Sequence, residues 1–277
     1  LKSECMEVFV LSVSDALIEA AKREPELASY YELHRALFDL QDEARQGIEA
    51  SLELADEEAL EARVQQGLPL LAFEQLPLEP QRFARLAEEI AAVLTDYEVA
   101  VVADSMPQEP DEWLDLARQQ FEMGQVPQER EEEPEEATLS QVAADLALKP
   151  YLVWAAEQVM PHVDQSHWRQ DYCPACGGVP DFAVLDAEVG ARRLVCSRCN
   201  AEWSYRRVGC PFCGIVDHSQ VSYYVGDDKA YRLYVCESCD RYLKTIDLRE
   251  TTRVVQLDVE RITTLKMDAA AYQEGYE

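Results

Sequence analysis

Four Cys-x-x-Cys pairs fall between residues 173 and 239: Cys173-Pro-Ala-Cys176, Cys196-Ser-Arg-Cys199, Cys210-Pro-Phe-Cys213 and Cys236-Glu-Ser-Cys239. Two thiolates three positions apart can wrap one ion from a single tight turn, so each pair is half of a tetrahedral four-sulfur site. Four halves make two sites. The region also repeats itself: Cys173-Pro-Ala-Cys176-Gly177 aligns with Cys210-Pro-Phe-Cys213-Gly214, and Arg193-Leu194-Val195-Cys196 echoes Arg232-Leu233-Tyr234-Val235-Cys236 with one insertion. Nineteen residues separate the pairs of the first unit, 22 those of the second, and ten separate the units. Each gap within a unit is long enough for one β-hairpin. The repeat favours sequential pairing, with Cys173, Cys176, Cys196 and Cys199 on one ion and Cys210, Cys213, Cys236 and Cys239 on the other; a cross-braced arrangement stays open.

The residue after each pair carries a second signal. In such knuckles that position takes a left-handed backbone, which glycine adopts freely and Asn and Asp tolerate better than other residues. The four positions are Gly177, Asn200, Gly214 and Asp240. A dithiol–disulfide relay needs one reactive pair, not four alike, so redox thiol chemistry is disfavoured. Four thiolates suit zinc and iron equally in geometry and softness. Neither site keeps an open position, so metal-activated water is not expected. His167 and His218 lie near the motifs, but eight thiolates leave them no vacancy to fill. His34 falls on an apolar helical stripe and reads as a partly buried histidine, and His162 has no evident partner. Cys5 reads as inert. There is no Gly-x-Ser-x-Gly, phosphate loop, dinucleotide fingerprint or His-Glu-x-x-His, so no catalytic residue is expected and the chain does not read as an enzyme.

These knuckles need elements to hold them. Residues 1–165 read as helices, and an acidic all-α bundle is expected. Stripes run through Leu27, Tyr30, Tyr31, Leu37 and Phe38, then from Phe83 to Leu94 after Pro80, and from Trp113 to Phe121 ending near Gly124. Two more, from Leu139 to Leu146 and from Leu152 to Met160, are separated by Lys149-Pro150 and read as two helices. Gly67–Leu78 carries six large apolar residues that must pack on the bundle or line a partner groove, while the glutamate run Gln128–Glu136 reads as a solvated link. Past Trp168, runs at Asp181–Leu185, Arg192–Val195, Val221–Val225 and Tyr231–Val235 read as hairpin strands. A strand-like run at Val254–Leu257 and a helix from Asp258 to about Gln273 follow. The expected fold is therefore α+β. Residues 1–168 form a helical domain, 169–247 a tandem rubredoxin-like or zinc-ribbon-like domain with ribbons at 173–199 and 210–239, and 248–277 a strand and helix packing back.

Charge narrows the partners. The chain holds 25 basic and 54 acidic residues for a net charge of −29. Of this, −26 lies between Leu1 and Trp168, while Arg169–Lys244 is balanced at ten of each sign. An acidic chain repels phosphate backbones, which disfavours nucleic acid and anionic membranes. No stretch approaches the ~20 apolar residues of a membrane span. With no basic, apolar and small-residue leader pattern, and thiols confined to metal-type spacing, the expected compartment is the cytoplasm.

The residues around the knuckles resemble a known family. Trp168 with Tyr172-Cys173-Pro-Ala-Cys176-Gly-Gly-Val-Pro180, Arg193-Leu194-Val195-Cys196-Ser-Arg-Cys199 and Trp203 is similar to the formate dehydrogenase accessory protein FdhE family. So are Arg207-Val208-Gly-Cys210-Pro-Phe-Cys213-Gly, Tyr-Val-Cys236-Glu-Ser-Cys239 and Tyr242-Leu243-Lys-Thr-Ile-Asp247. The likeness continues more weakly through Leu146-Ala-Leu-Lys-Pro150-Tyr and Gly67-Leu-Pro-Leu-Leu71. It implies a cytoplasmic maturation factor, required for active respiratory formate dehydrogenases and associating with their catalytic subunits before twin-arginine export. It also implies two mononuclear iron ions on the eight cysteines, where chemistry alone says iron or zinc. Two alternatives stand beside a binding module. One is rubredoxin-like electron transfer during cofactor insertion or reductive activation. The other is a zinc-ribbon nucleic-acid regulator using Arg192, Arg193, Arg198, Arg206 and Arg207, arginines that could instead pair with the acidic helices.

Overall fold

The structure, a computed structural model, describes residues 11–125, 136–226 and 228–277. Cys5 and the glutamate run, all but Glu136, lie outside the described residues.

Among the described residues, six α-helices precede the cysteine motifs: α1 Val13–Arg23, α2 Ala28–Gln46, α3 Glu57–Gln65, α4 Pro80–Asp96, α5 Pro110–Met123 and α6 Leu139–Val159. Proline at the first helical position starts α4 and α5, where a missing N–H costs nothing. Ser12 and Asp56 cap α1 and α3 by accepting the amides of Asp15 and Ala59 at 3.1 and 2.8 Å. These two helices escaped the sequence reading because their buried stripes are thin, Leu17 and Ala20 in one and Leu60 and Val64 in the other.

One sequence expectation is corrected at Pro150. The two stripes on either side of it belong to a single helix, α6, with Pro150 inside. Proline removes the bond to the carbonyl four residues back, which is Leu146. The Gln41 side chain from α2 donates to that carbonyl at 2.8 Å, so the orphaned acceptor is satisfied from outside the helix. Helix α6 is buried on all sides, through its own Ala143, Ala147, Leu148, Leu152 and Ala156, and is the central helix of the bundle.

The ribbons merge into one sheet. Strands β1 Pro180–Leu185, β2 Arg192–Cys196, β3 Glu202–Tyr205, β4 Val221–Val225, β5 Tyr231–Cys236 and β6 Arg241–Asp247 lie in the order β3-β2-β1-β6-β5-β4. Each ribbon supplies three antiparallel strands, and β1 joins β6 in parallel, with Phe182 opposite Lys244 and Leu185 opposite Asp247. Alternation along β1 sends Ala183 into a core shared with the helices and Phe182 and Val184 into a second cluster on the other face. The shared core runs without a break from Leu37 through Trp113, Trp168 and the first four motif cysteines to Trp203.

The C-terminal segment departs from expectation twice. Val254–Leu257 is not a strand: Val255 and Leu257 pack flat on the Phe182 and Ile246 cluster, and Arg253 is held by Glu260 and Tyr231 rather than by a sheet edge. The expected single helix is broken at Thr264 into α7 Leu257–Thr263 and α8 Leu265–Gln273. Helix α7 lies against α1, while Ala271 of α8 packs on Leu233 and Val235.

Candidate metal centre

The eight cysteines gather into two groups, Cys173, Cys176, Cys196 and Cys199 in one and Cys210, Cys213, Cys236 and Cys239 in the other. Sequential pairing is what the fold uses. Within each group all four sulfurs lie within 4.8 Å of one another. The closest approaches are 3.5 Å for Cys173–Cys199 and Cys176–Cys196, 3.6 Å for Cys210–Cys239 and 3.7 Å for Cys213–Cys236. A disulfide needs about 2.05 Å, whereas a tetrahedron with metal–sulfur bonds of about 2.3 Å has edges near 3.8 Å. The spacing fits an ion held by four sulfurs.

The backbone of each knuckle is set as the motif requires. Gly177, Asn200, Gly214 and Asp240 have φ of 78°, 60°, 73° and 54°. This turn returns amides toward the sulfurs: the Arg198 and Phe212 N–H groups donate to Cys196 Sγ and Cys210 Sγ at 3.4 and 3.3 Å. At Gly177 the requirement is double, since a Cβ would also stand 2.9 Å from Pro69.

The two groups differ in setting. All four sulfur-bearing residues of the first are buried. The apolar segment after α3 clasps its first knuckle: Leu70 and Leu71 donate N–H bonds of 2.9 Å to the carbonyls of Pro174 and Ala175. Four of the segment's six large apolar residues, Leu70, Leu71, Phe73 and Leu76, lie in the shared core beside this contact, while Leu68 stays exposed. From the second knuckle, Arg198 reaches the C-terminus of α5, donating to the carbonyls of Gln120 and Phe121 at 3.0 and 3.2 Å, and pairs with Asp145 at 3.4 Å. Burial pushes the Cys173 and Cys199 thiols up, while at Cys196 burial is outweighed by hydrogen bonds from its three neighbours, which hold it low, so a cation would offset the cost of bringing four thiolates together.

The second group sits at the surface. Cys213 is exposed, Cys239 half-buried, and only Cys210 and Cys236 are enclosed. Nothing lies within 4 Å of where a Cβ on Gly214 would stand. The C-terminal tail ties down its second knuckle, with the Glu277 amide donating to Asp240 at 2.7 Å.

The other candidate residues fall elsewhere. Arg192 donates to the Gly209 carbonyl at 2.9 Å in a buried site, Arg193 pairs with Glu202 at 2.8 Å, and Arg206 donates to the Tyr205 hydroxyl at 3.0 Å. Of the arginines considered for phosphate, Arg198 instead joins the acidic helices. His167 pairs with Asp164 at 3.2 Å, and no histidine enters either sulfur group among the described residues.

Comparison with known proteins agrees with this architecture. A family model described as "FdhE, central domain" matches residues 172–207, which span the whole first sulfur group. An FdhE homolog of Aquifex aeolicus is 34% identical over 133 residues, covering 47% of this chain and 46% of the relative. One from Shewanella baltica is 27% identical over 279 residues, covering 94% and 83%. The chain is similar to FdhE proteins, most strongly around its first sulfur group. The crystal structure of the FdhE protein from Pseudomonas aeruginosa has a similar fold, with a TM-score of 0.61 at 22% identity over 96% of this chain and 91% of that one. The matched stretch spans about half the length of the Aquifex relative. No described helix is long and apolar enough to cross a membrane.

Proposed function

We propose that this chain is a non-catalytic accessory protein for formate dehydrogenase that binds the enzyme's catalytic subunit in the cytoplasm before export. Its eight motif cysteines, Cys173, Cys176, Cys196, Cys199, Cys210, Cys213, Cys236 and Cys239, ligate two mononuclear ions. The ions are iron, as the family resemblance implies, and the acidic helices and the ribbon sheet form one docking body around them. The observation that carries this is the pair of four-sulfur groups at tetrahedral spacing, one sealed in a core shared with the helices. With four thiolates each, such ions shape the fold and, as iron, can take and give single electrons. Pull-down of the tagged protein from cytosol is expected to recover the catalytic subunit. Recovery of nucleic acid alone, or of no protein after cross-linking, would overturn the docking role.

Exposure of Cys213 favours a second role, electron transfer to the client. Elemental analysis with an absorption spectrum on anaerobically purified protein separates the two. Ferric four-thiolate sites are coloured and bleach with dithionite; a colourless, zinc-filled protein that still matures its client would eliminate electron transfer.

A further inference from the structure

Between α2, α4 and α6 on one side and β1 and α7 on the other lies a cleft of about 490 Å³, within the range that takes a small organic ligand. Its walls are apolar, including Leu33, Leu37, Leu94, Val99 and Ile262. Two nitrogen-bearing side chains open into it without protein partners. The side chain of Lys149, half-buried on α6, makes no ion pair or hydrogen bond among the described residues, in a chain with 54 acidic groups. His34 meets Tyr30 edge-on at 4.4 Å and makes no hydrogen bond, yet neither of its nitrogens is sealed from solvent. Both groups therefore keep their hydrogen-bonding capacity free inside the cleft, where a ligand that displaced water would have to satisfy it.

The rest of the cleft limits what these groups can receive. Asp181 and Asp258 border it, and both face Arg261, at 2.7 and 3.7 Å. Arg261 is nine-tenths buried and also donates to the Cys196 carbonyl at 2.6 Å, so its charge is spent on the floor. Arg261 and Lys149 balance the two carboxylates, and of these four groups Lys149 alone has no ion-pair partner among the described residues. A polyanion such as a nucleotide would meet two carboxylates here, whereas a single negative charge on an apolar body would meet one ammonium, one imidazole and apolar walls.

We propose that this cleft is a binding site for a monoanionic carboxylate with an apolar body, its carboxylate on Lys149 and His34 and its body against Leu33, Leu37 and Ile262. The site also gives a role to the lysine of Leu146-Ala-Leu-Lys-Pro150-Tyr, which packing leaves unexplained. It shares no residue with the sulfur groups, so its failure would leave the accessory role standing.

Calorimetry on the full chain tests it, with octanoate as the small-molecule probe and acetyl-Ala-Leu-Phe with a free carboxyl end as the peptide probe. Binding of at least one is expected, weakened about tenfold or more in Lys149→Met and in the matching amide, octanamide or the amidated peptide. The tighter probe identifies the source of the carboxylate. Lys149→Met removes no ion pair or hydrogen bond of the side chain among the described residues, and an unchanged melting temperature shows that the fold is intact. A His34 imidazole resonance that shifts on titration places the ligand in the cleft. Absence of binding by either probe at millimolar concentration, or equal affinity in Lys149→Met, overturns the proposal.

Discussion

Side-chain exposure separates two sulfur groups that are alike in sequence. Cys213 is open while Cys173, Cys176, Cys196 and Cys199 are enclosed, so iodoacetamide should modify Cys213 before any cysteine of the first group. Mass mapping of partially alkylated protein reads the order directly, and early labelling of Cys176 would refute it. The left-handed positions were legible from sequence because Gly, Asn and Asp are the residues that tolerate that backbone, and all four comply. The exposure difference was not legible, since it depends on which neighbours cover each knuckle. His34 makes a pH prediction. Burial, aided by Lys149 of α6 and Lys244 of β6, lowers its pKa to about 4. A histidine that is harder to protonate when folded keeps its full contribution above the unfolded value of about 6.5 and loses it as pH falls from there toward 4. Asp181, Asp258 and Arg261 face the same cleft, and the two carboxylates moderate the loss. Denaturant titrations should show up to roughly 3 kcal/mol less stability across that interval. In His34→Gln the decline should shrink.

Among the elements, α6 shows how a breaker residue is kept inside a helix. The Gln41 amide replaces the bond that Pro150 cannot make. Gln41→Leu should strand the Leu146 carbonyl at a cost of about 1–3 kcal/mol, seen as a lower melting temperature. Adding Pro150→Ala restores an internal donor and should recover most of that loss; additive destabilisation of the two changes would refute this account. Sequence could not reveal the arrangement, because Gln41 lies 105 residues from its acceptor. Strands β1, β2, β4 and β5 were readable as β-prone runs between turns. Strands β3 and β6 were not, being polar enough (Glu202 and Ser204 in one, Arg241 and Lys244 in the other) to pass for connectors. The run at Val254–Leu257 misled in the opposite direction: its apolar residues cover a sheet face instead of extending an edge.

At the level of the molecule, the first sulfur group belongs to the same core as the helices, whereas the second stands at its margin. Titration with a chelator should therefore withdraw ion in two stages. The first stage should leave helical circular dichroism intact and the second should abolish it; loss of both ions in one cooperative step would contradict the structure. The two-ribbon composition was plain from the repeat, but the seam between the ribbons was not, because nothing in either copy marks β1 and β6 as neighbours. That seam has a consequence for how the protein is made. Strand β1 emerges from the ribosome some sixty residues before the strand that flanks it. Until Asp247 appears, a nascent chain carries a bare row of amides and carbonyls beside its first finished knuckle pair, open to pairing with whatever strand is near. A chain stalled or cut before that point should aggregate, however well its first four cysteines are filled.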